Sequence, residues 1–525
     1  CGLNEQWRRV LELTVLFVFC VAISGVAIRL SSSLARRLGV MDEPGEHKQH
    51  GDRTPFVGGV GIMVVLLSIF PLADLGFSRV SLDSVGAIGL VAVVIFLTGL
   101  ADDVWHLAVK PRLLVQAIAA LLMVFVGGVE LRSFGELFPG VTLDLGLLGV
   151  PLTVFATIGL INALNMIDGI DGLSGSVSLV SLGLIALIAH HGHNATYFVL
   201  LVALMGGVVG FLGYNLRYAG NSRARVFLGD NGSMLLGFVF AWSLIALSQA
   251  TEGRQPVMTP VTALWLFALP LMDTVGVMLR RIWLGKSPFR ADRYHLHHLF
   301  IRAGFRVCDI VALAVVMQCV FGLVGVGGLW LGVPEYVMFW LFVLVFAAYA
   351  FVIARPWRLV PWLRRLSRRL GLPSVEVRGI FVGYFGQEAY REVVGVIAAG
   401  LGRGYDYQIS VYRAERSADD GRNVYCLVHV PVVGSDHLIG IIHRDALRIR
   451  RRLLRRQGGV EVRLFLCRGC ELDPHESGAS SQGMAGRSRT VDRRGMRSTL
   501  IYSTERGDGM GASDQVGFEV SVPPA

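Results

Sequence analysis

Four clusters of polar residues interrupt a chain that is otherwise rich in long apolar runs. The first cluster is the acidic pair Asp102 and Asp103, which directly follows one of these runs. Neighbouring residues of a helix point about 100° apart, so a single ligand is not expected to face both carboxylates. We expect one carboxylate to face a metal ion and the other a second group. The alternative is a solvated cap at the end of a helix.

The second cluster is the segment INALNMIDGIDGLSG, which carries Asn162, Asn165, Asp168 and Asp171. Asp168 and Asp171 are three residues apart and share a face wherever the backbone is helical. The glycines beside them allow the backbone to approach a phosphate or a sugar closely. Amides and carboxylates are costly at the end of a membrane span, which favours a binding site over a polar turn between helices.

The third cluster, ARVFLGDNGSMLLGF, places Asp230 just before another apolar run. The helix dipole stabilises a carboxylate at a helix N-terminus, so Asp230 could be a cap. The same position also suits a ligand of a hard cation. Mg²⁺ typically binds one or two carboxylates together with phosphate oxygens, so Asp230 could hold this ion beside a nucleotide diphosphate.

The fourth cluster, SPFRADRYHLHHLF, contains Arg290, Arg293, His295, His297 and His298. Arginine and histidine can bind phosphate and donate to sugar hydroxyl groups. A zinc site is one alternative, but the H-x-H-H spacing does not converge from one helical face and no cysteine lies close by. A plain basic loop beside the membrane is the other alternative.

The elements that must position these clusters are membrane-spanning helices. Of the 525 residues, 53% are hydrophobic and only 17% are charged, and runs of about 18 to 22 apolar residues are long enough to cross a bilayer. We predict an all-α polytopic membrane protein with about eleven spans. The first run has the length of a span, so we expect no cleavable signal peptide. The predicted spans lie near Val10–Leu30, Val57–Phe77, Leu82–Leu100, Leu113–Val129, Val150–Asn165, Leu173–Ala189, Ala195–Leu216, Ser233–Ser248, Pro260–Leu279, Ile310–Leu331 and Tyr336–Ile353.

The net charge of +10 is concentrated in alternate loops, which contain Arg36, Lys110, Arg217 and Lys286, and in the run Arg355–Arg369. This is the positive-inside pattern, and it predicts that the four clusters and the C-terminus are cytoplasmic and the N-terminus external. Arg8 and Arg9 are a small signal against that orientation. Because the positive charge follows the spans, we expect a membrane and no nucleic acid as its partner.

After the last span the composition changes, and we divide the chain into a membrane domain (1–356), a basic linker (357–373), a cytoplasmic α+β domain (374–470) and a disordered tail (471–525). The order βαββαβ predicted between Val375 and Cys467 is typical of a ferredoxin-like domain. The tail has little to bury. Cys467 and Cys470 could be a redox or metal pair, but without a second pair we interpret them as reduced thiols.

Taken in order, six motifs resemble those of the polyprenyl-phosphate N-acetylhexosamine-1-phosphate transferases, glycosyltransferase family 4. The motifs are HKQHGDRTPFVGG, LADDVWHL, NALNMIDGIDGLSG, GFLGYN, FLGDNGS and DRYHLHH, and they cover roughly Val40 to Phe305. The family includes the bacterial undecaprenyl-phosphate GlcNAc-1-phosphate transferases, which the chain resembles in particular, and the phospho-MurNAc-pentapeptide translocase. The domain after Pro373 has no counterpart in the common family core.

The resemblance implies roles for the polar residues. Catalytic roles fall to Asp102, Asp103, Asp168, Asp171 and His297. Substrate contacts fall to Lys48, His50, Asn162, Asn165, Asn215, Asp292, Arg293, His295 and His298. Asp230 and Asp171 are the implied metal ligands, for Mg²⁺ or alternatively Mn²⁺.

The implied reaction moves N-acetylhexosamine 1-phosphate, for which we expect GlcNAc 1-phosphate, from a UDP-sugar to undecaprenyl phosphate and releases UMP. It would begin the synthesis of O-antigen, exopolysaccharide or another envelope glycan at the cytoplasmic face of a bacterial inner membrane. The acceptor phosphate is mostly dianionic at neutral pH, since its second pKa is about 6. We therefore expect Asp102 and Asp103 to position groups rather than to remove a proton, although a two-step route through a carboxylate stays open.

Three alternatives to this function stay open. The translocase branch usually has three consecutive histidines where this chain has H-L-H-H, which favours a simple UDP-N-acetylhexosamine donor over translocase-type activity. A transporter is the rival from another class, but transporter sites lie near the bilayer midplane, and these carboxylates lie at span ends. A receptor or scaffold that acts through its C-terminal domain is the third, and we also allow for a homodimer.

Overall fold

The computed structural model describes most of the chain and divides it into two compact units. One unit is Cys1–Leu299 with Val307–Pro356, and the other is Phe300–Arg306 with Trp357–Ala525. The described residues are 2–38, 54–74, 82–218, 224–250, 255–285, 287, 295–303, 305–369, 377–385, 389–401, 408–414, 424–430, 436–456, 462–467, 489–491 and 497–504.

The first unit is helical apart from one hairpin, and α11 crosses the boundary between the units. Its elements are α1 (Gly2–Leu38), α2 (Gly58–Asp74), α3 (Leu82–Trp105), α4 (Val109–Phe125), β1 (Ser133–Phe138), β2 (Val141–Asp144), a short 3₁₀ helix (Gly146–Leu148), α5 (Gly149–Ile167), α6 (Leu173–His191), α7 (Ala195–Asn215), α8 (Gly229–Ser248), α9 (Pro260–Leu266), α10 (Ala268–Trp283), α11 (Leu296–Ala303), α12 (Val307–Trp330) and α13 (Glu335–Ile353).

Eight helices in the described part of the chain are long and apolar enough to cross a membrane, so a polytopic helical membrane protein is confirmed. Helices α9 and α10 make a ninth candidate if the pair is one span bent by 85°. The predicted count of eleven is not confirmed, because α2 and α4 have only 17 residues each. Such a helix is about 25 Å long, shorter than the roughly 30 Å of a hydrocarbon core.

Helix α8 lies at the centre of this unit, because 94% of the residues in its most apolar 18-residue stretch are buried. Glycines allow its neighbours to pack closely against it. A Cβ atom built on Gly99 of α3 would lie 2.5 Å from the backbone oxygen of Asp230, and one built on Gly237 of α8 would lie 2.6 Å from the Cα of Ile161 of α5. The close packing brings the polar ends of α3, α5 and α8 together.

At its other end, α8 is hydrogen-bonded to the β1–β2 hairpin through Gln249, the residue that follows the helix. The Gln249 Oε1 atom accepts hydrogen bonds from the backbone N–H groups of Arg132 and Ser133, both at 3.0 Å. Its Nε2 atom donates to the backbone oxygen of Ser133 at 3.2 Å. Gln249 thus satisfies three backbone groups far from the polar end of the helix.

The second unit contains α14 (Pro356–Arg369), β3 (Val377–Phe385), α15 (Tyr390–Leu401), β4 (Gln408–Ala414), β5 (Val424–Val430), α16 (Asp436–Arg456), β6 (Val462–Cys467), β7 (Arg489–Val491) and β8 (Arg497–Thr504). Its described strands form one antiparallel sheet in the order β6-β3-β5-β4-β8-β7. Ile380, Val428, Ile397 and Ile449 are among the side chains that form its core.

The strands β3 to β6 and the helices α15 and α16 occur in the predicted βαββαβ order. The ferredoxin-like assignment and the four domain boundaries stay predictions. Strands β7 and β8 lie in the segment for which we predicted disorder, and β8 pairs with β4. The prediction included no strand there, because the overall composition of the tail obscures the apolar run Leu500–Tyr502. Cys470 lies outside the described residues, so the predicted thiol pair is not tested.

Candidate active site

A cavity of about 310 Å³ opens where the polar ends of the central helices meet. Its lining draws residues from α3, α5, α7, α8 and the turn between α5 and α6. Seven of the predicted site residues line it, namely Asp102, Asp103, Asn165, Asp168, Asp171, Asn215 and Asp230. Residues far apart in the chain therefore meet at one site.

Asp102 is buried and forms an ion pair with Arg112 of α4. The same guanidinium Nη1 atom lies 3.5 Å from Oδ2 of Asp230. The carboxyl groups of Asp102 and Asp230 also lie within hydrogen-bonding contact of each other. Asp230 is 32% exposed, against 4% for Asp102, so a ligand that enters the cavity has more access to Asp230.

Sequence reasoning missed Arg112 as a site residue. The positive charge around Lys110 was interpreted as part of a basic loop, whereas the structure places Arg112 in the first turn of α4, between two carboxylates. A signal was available in the sequence. The motif LADDVWHLAVKPR places this cation ten residues after Asp102, which is close enough for a chain that reverses direction between two helices.

Asp103 faces the backbone at the start of α8. Its Oδ1 atom accepts a hydrogen bond from the N–H of Asp230 at 2.8 Å, and its Oδ2 atom accepts one from the N–H of Asn231 at 3.1 Å. The side-chain amide of Asn231 also donates to Oδ2. The two carboxylates therefore face different groups, with Asp102 on the guanidinium of Arg112 and Asp103 on a helix terminus, and the predicted metal contact stays a prediction.

The two amides of the second cluster point to different partners. The Asn165 Nδ2 atom donates to Oδ1 of Asp230 at 2.5 Å and to Oγ of Ser233 at 3.0 Å, so Asn165 holds Asp230 from the α5 side. Asn162 instead donates to Oε1 of Gln116 at 2.8 Å and is not among the residues that line the cavity. The substrate contact predicted for Asn162 stays a prediction, and this residue does not line the cavity.

Asp168 ends α5 and accepts a hydrogen bond from Oγ of Ser174 at 2.5 Å. The backbone between Asp168 and Gly172 is not helical, so the helical spacing proposed for Asp168 and Asp171 does not apply, although both line the cavity. Burial, followed by the negative charges of Asp103 and Asp171, raises the pKa of Asp168 to about 7. This carboxyl group can therefore gain or lose a proton near neutral pH.

Asp171 is tied to the segment after α7. Its Oδ2 atom accepts hydrogen bonds from Nε of Arg217 at 2.7 Å and from the backbone N–H of Ala224 at 3.1 Å. One of its two oxygens is thus occupied by an arginine and an amide, and the metal contact predicted for Asp171 stays a prediction. Asn215 binds the turn itself, because its Oδ1 atom accepts from the N–H of Gly172 at 2.6 Å.

The histidine cluster begins α11. The Nδ1 atom of His295 lies 2.9 Å from Oδ2 of Asp273, a carboxylate that sequence reasoning missed. His297 is 2% exposed, and neither of its ring nitrogens has a hydrogen-bond partner among the described residues. Burial and the neighbouring charge of His298 lower the pKa of His297 to about 3, so its imidazole is neutral at physiological pH.

His297 lies against the turn that follows Asp168. A methyl group built on Gly169 would overlap the Nε2 atom of His297. The predicted catalytic histidine is therefore next to the cavity wall and does not line the cavity itself. Lys48, His50, Asp292 and Arg293, together with Arg290, lie outside the described residues, and their predicted contacts stay predictions.

The donor atoms in the cavity suit a hard cation. Two carboxyl groups can share a hydrogen bond only when a proton lies between them, and a divalent cation can take the place of that proton at Asp102 and Asp230. In the part of the chain that the structure describes, no group of three or more histidine, cysteine or acidic side chains converges into a ready-made metal site. The carboxyl groups of Asp102 and Asp230 would suit Mg²⁺, which usually takes one or two carboxylates and completes its shell with phosphate oxygens and water.

Comparisons with known proteins all find similarity to one family of transferases. Residues 85–248 match the model of the glycosyl transferase family 4. The chain is 37% identical over 360 residues to the undecaprenyl-phosphate alpha-N-acetylglucosaminyl 1-phosphate transferase of Salmonella typhi, covering 68% of this chain and 95% of that protein. It is 35% identical over 338 residues to the protein of the same name from Escherichia coli O157:H7, covering 64% of this chain and 90% of the relative.

Proposed function

The chain belongs to the glycosyl transferase family 4, and on that basis we propose that it transfers N-acetylglucosamine 1-phosphate to undecaprenyl phosphate. The proposed donor is UDP-GlcNAc, and the proposed by-product is UMP. The observation that carries the proposal is the cavity lined by Asp102 and Asp230, whose carboxylates both lie next to the guanidinium of Arg112. Carboxylates for a cation and an arginine for a phosphate are the groups that a diphosphate substrate requires.

In the proposed reaction, an oxygen of the acceptor phosphate forms a bond to the β-phosphorus of the donor. The bond from that phosphorus to the bridging oxygen breaks, and UMP leaves with the electron pair. The acceptor needs no base, because a phosphate monoester with a second pKa of about 6 is mostly dianionic at neutral pH. The work of the protein is then to position the two phosphates and to neutralise their charge.

Asp230 and Asp102 would hold the Mg²⁺ ion, which neutralises charge on the diphosphate when it is bound. Asp103 and Asn165 fix Asp230 from two sides, through the helix backbone and through its Oδ1 atom. Arg112 offsets the charge of both carboxylates. The guanidinium of Arg112 could also donate hydrogen bonds to a phosphate oxygen of the substrate.

The test is direct. Purified protein in detergent, or membranes that contain it, would be incubated with radiolabelled UDP-GlcNAc, undecaprenyl phosphate and MgCl₂. We expect a labelled lipid and an equal amount of UMP. Asp230→Asn should remove activity and leave folded protein in the membrane, because one hard ligand is lost while the amide can still fill the same space.

Two outcomes would contradict parts of this proposal. Turnover of UDP-MurNAc-pentapeptide without turnover of any simple UDP-N-acetylhexosamine would overturn the choice of donor and leave the family membership standing. Near-wild-type turnover by Asp230→Asn at saturating Mg²⁺ would remove Asp230 from the metal site.

We further propose that the cavity faces the cytoplasm from a bacterial inner membrane, on the strength of the alternating loop charges. A cysteine in place of Lys286 should be shielded from an impermeant thiol reagent added to whole cells, and a cysteine in place of Phe134 should react. Labelling of the Lys286 position from outside would place the cavity on the wrong face.

A ferredoxin-like class for the second unit is also part of the proposal. Its support is the element order βαββαβ, and the sheet order β6-β3-β5-β4 among those elements. All the family motifs precede Phe305. Protein truncated after Pro373 should therefore retain transferase activity, and an inactive but correctly inserted truncation would make the second unit part of the enzyme.

A further inference from the structure

A carboxylate outside the cavity is buried in the bent pair of helices. Asp273 lies on α10, is 1% exposed and follows an apolar stretch, ALPLM. Ionisable groups at such positions are costly and are retained where they have partners and a role. The proposed reaction assigns Asp273 no part.

Three donors from two separate places in the chain converge on this carboxylate. Its Oδ2 atom lies 2.9 Å from Nδ1 of His295. Its Oδ1 atom accepts hydrogen bonds from the backbone N–H of Leu296 at 2.8 Å and from the hydroxyl group of Tyr349 on α13, also at 2.8 Å. Both oxygens are therefore occupied, and the contacts join α10, α13 and the start of α11.

The contact with Leu296 fixes where α11 begins. The first N–H groups of a helix have no partner within the helix, and a carboxylate that accepts one of them also stabilises the helix dipole. His297 follows one residue later and lies against Gly169, the neighbour of Asp168. The rings of His295 and His297 are nearly parallel, at 10° with centroids 6.0 Å apart. Holding His295 and Leu296 thus also determines where His297 lies.

The contact with His295 selects a tautomer. A carboxylate accepts only, so the Nδ1 atom must carry a proton, which leaves Nε2 as an acceptor when the ring is neutral. We propose that Asp273 is a positioning residue for the transfer reaction, holding His295 and the start of α11 so that His297 is fixed against the Asp168–Gly169 turn. The proposal rests on the proposed function and adds to it a carboxylate that acts on the site through the histidine segment.

A residue that only stabilises the fold and a residue that positions His297 differ in how their substitutions combine. If Asp273 acts through His297, removal of His297 should leave little further effect for Asp273 to have. Substitutions at independent sites instead combine additively in free energy, so their effects on the rate multiply. The double variant Asp273→Ala with His297→Ala separates the two cases.

The experiment measures kcat and KM for UDP-GlcNAc in five variants and the wild type. Four of them are Asp273→Ala, Asp273→Asn, His297→Ala and the double variant. The fifth is the control Gln249→Ala, which also removes three hydrogen bonds to the backbone but at the opposite end of α8. We expect Asp273→Ala to lower kcat by about 100-fold, the size of effect that a misplacement of about 1 Å can have, with KM little changed.

The double variant should be within about threefold of His297→Ala alone, given the scatter of about 0.5 kcal/mol in such cycles. Asp273→Asn keeps an oxygen for Leu296 and Tyr349 but presents an amide to His295, so it should lose less activity than Asp273→Ala. Gln249→Ala should lower thermal stability with kcat near that of the wild type. A double variant whose loss is the product of the two single losses would overturn the proposal.

Hydrogen exchange of residues 295–303 gives a readout that needs no activity. The Leu296 amide donates to Asp273, so its exchange should be faster in Asp273→Ala and unchanged in Gln249→Ala. If the wild type shows no transfer to undecaprenyl phosphate, the proposed function fails while the exchange result still tests the contact. Unchanged exchange in Asp273→Ala would overturn the positioning role even in an active enzyme.

Discussion

Asp103 accepts a hydrogen bond from the backbone N–H of Asp230 at 2.8 Å, so one acidic residue of the cavity fixes the helix that carries another. Residues 127 positions apart in the chain are joined at the first turn of α8. The cap comes from α3 rather than from the residues before α8, whose Leu228 offers no side-chain hydrogen bond. Gly229 completes the arrangement with a φ angle of +77°.

Replacing Asp103 with alanine should therefore lower both stability and activity. Loss of a helix cap costs about 0.5 to 2 kcal/mol, and the carboxylate here satisfies two N–H groups. Asp103→Asn, which keeps one acceptor oxygen, should be intermediate in both. The measurements are thermal unfolding in detergent and the transfer rate. Full stability combined with complete loss of activity in Asp103→Ala would show that Asp103 acts on substrate instead of on α8.

Arg112 should matter for stability even without substrate. In Arg112→Ala the buried carboxylate of Asp102 loses its ion pair, and leaving a buried polar group unpaired costs on the order of 1 to 3 kcal/mol, with a larger cost for a charged group. Addition of Asp102→Asn should recover part of that stability, because the remaining group is neutral. Thermal unfolding of the single and double variants checks this. A double variant less stable than Arg112→Ala would contradict the pairing.

The contact between Gly169 and His297 predicts a steric effect. In Gly169→Ala the new methyl group should displace the imidazole, with a loss of activity that we expect to approach that of His297→Ala. The double variant Gly169→Ala with His297→Ala should be about as active as His297→Ala alone, because the imidazole that the new methyl group would displace is absent. The rates of the three variants measure this. A much slower double variant would mean that Gly169 contacts substrate directly.

The raised pKa of Asp168 predicts how the stability of the protein depends on pH. Its folded-state pKa of about 7 is raised above the ordinary value of 3.8, so between these values the folded protein binds a proton that the unfolded chain has released. Stability from this group is therefore highest at low pH and falls as pH rises toward 7. Asp168→Asn should flatten the decline of unfolding temperature between pH 5 and pH 8, compared with the wild type. An unchanged decline would show that Asp168 is already ionised at pH 5.

Much of the site could be predicted from the sequence because polar residues in apolar surroundings are conspicuous. Asp102, Asp168 and Asp230 stood out for that reason, and all three line the cavity. The cap formed by Asp103 could not be predicted in this way, since it depends on how closely Gly99 allows α3 to approach α8.

Asp273 was missed because a single acid within an apolar run looks like part of a span until its partners are known. Two of them, His295 and Tyr349, are 22 and 76 residues away. The number of spans is not confirmed for a simpler reason. Apolar composition marks a helix well, but whether 17 residues such as those of α4 cross the bilayer is a question of length.

The burial of α8 has a consequence for how the protein is made. Its most apolar 18-residue stretch has a mean hydropathy of 1.5, the lowest of the eight candidate spans in the described part of the chain. Its first turn also carries the polar residues Asp230 and Asn231. The free energy of inserting such a segment into lipid by itself is therefore only weakly favourable. Its partners α3 and α5 precede it in the chain, so the surfaces that receive it are synthesised first. We expect α8 to enter the bilayer efficiently only after those helices, as part of a growing bundle.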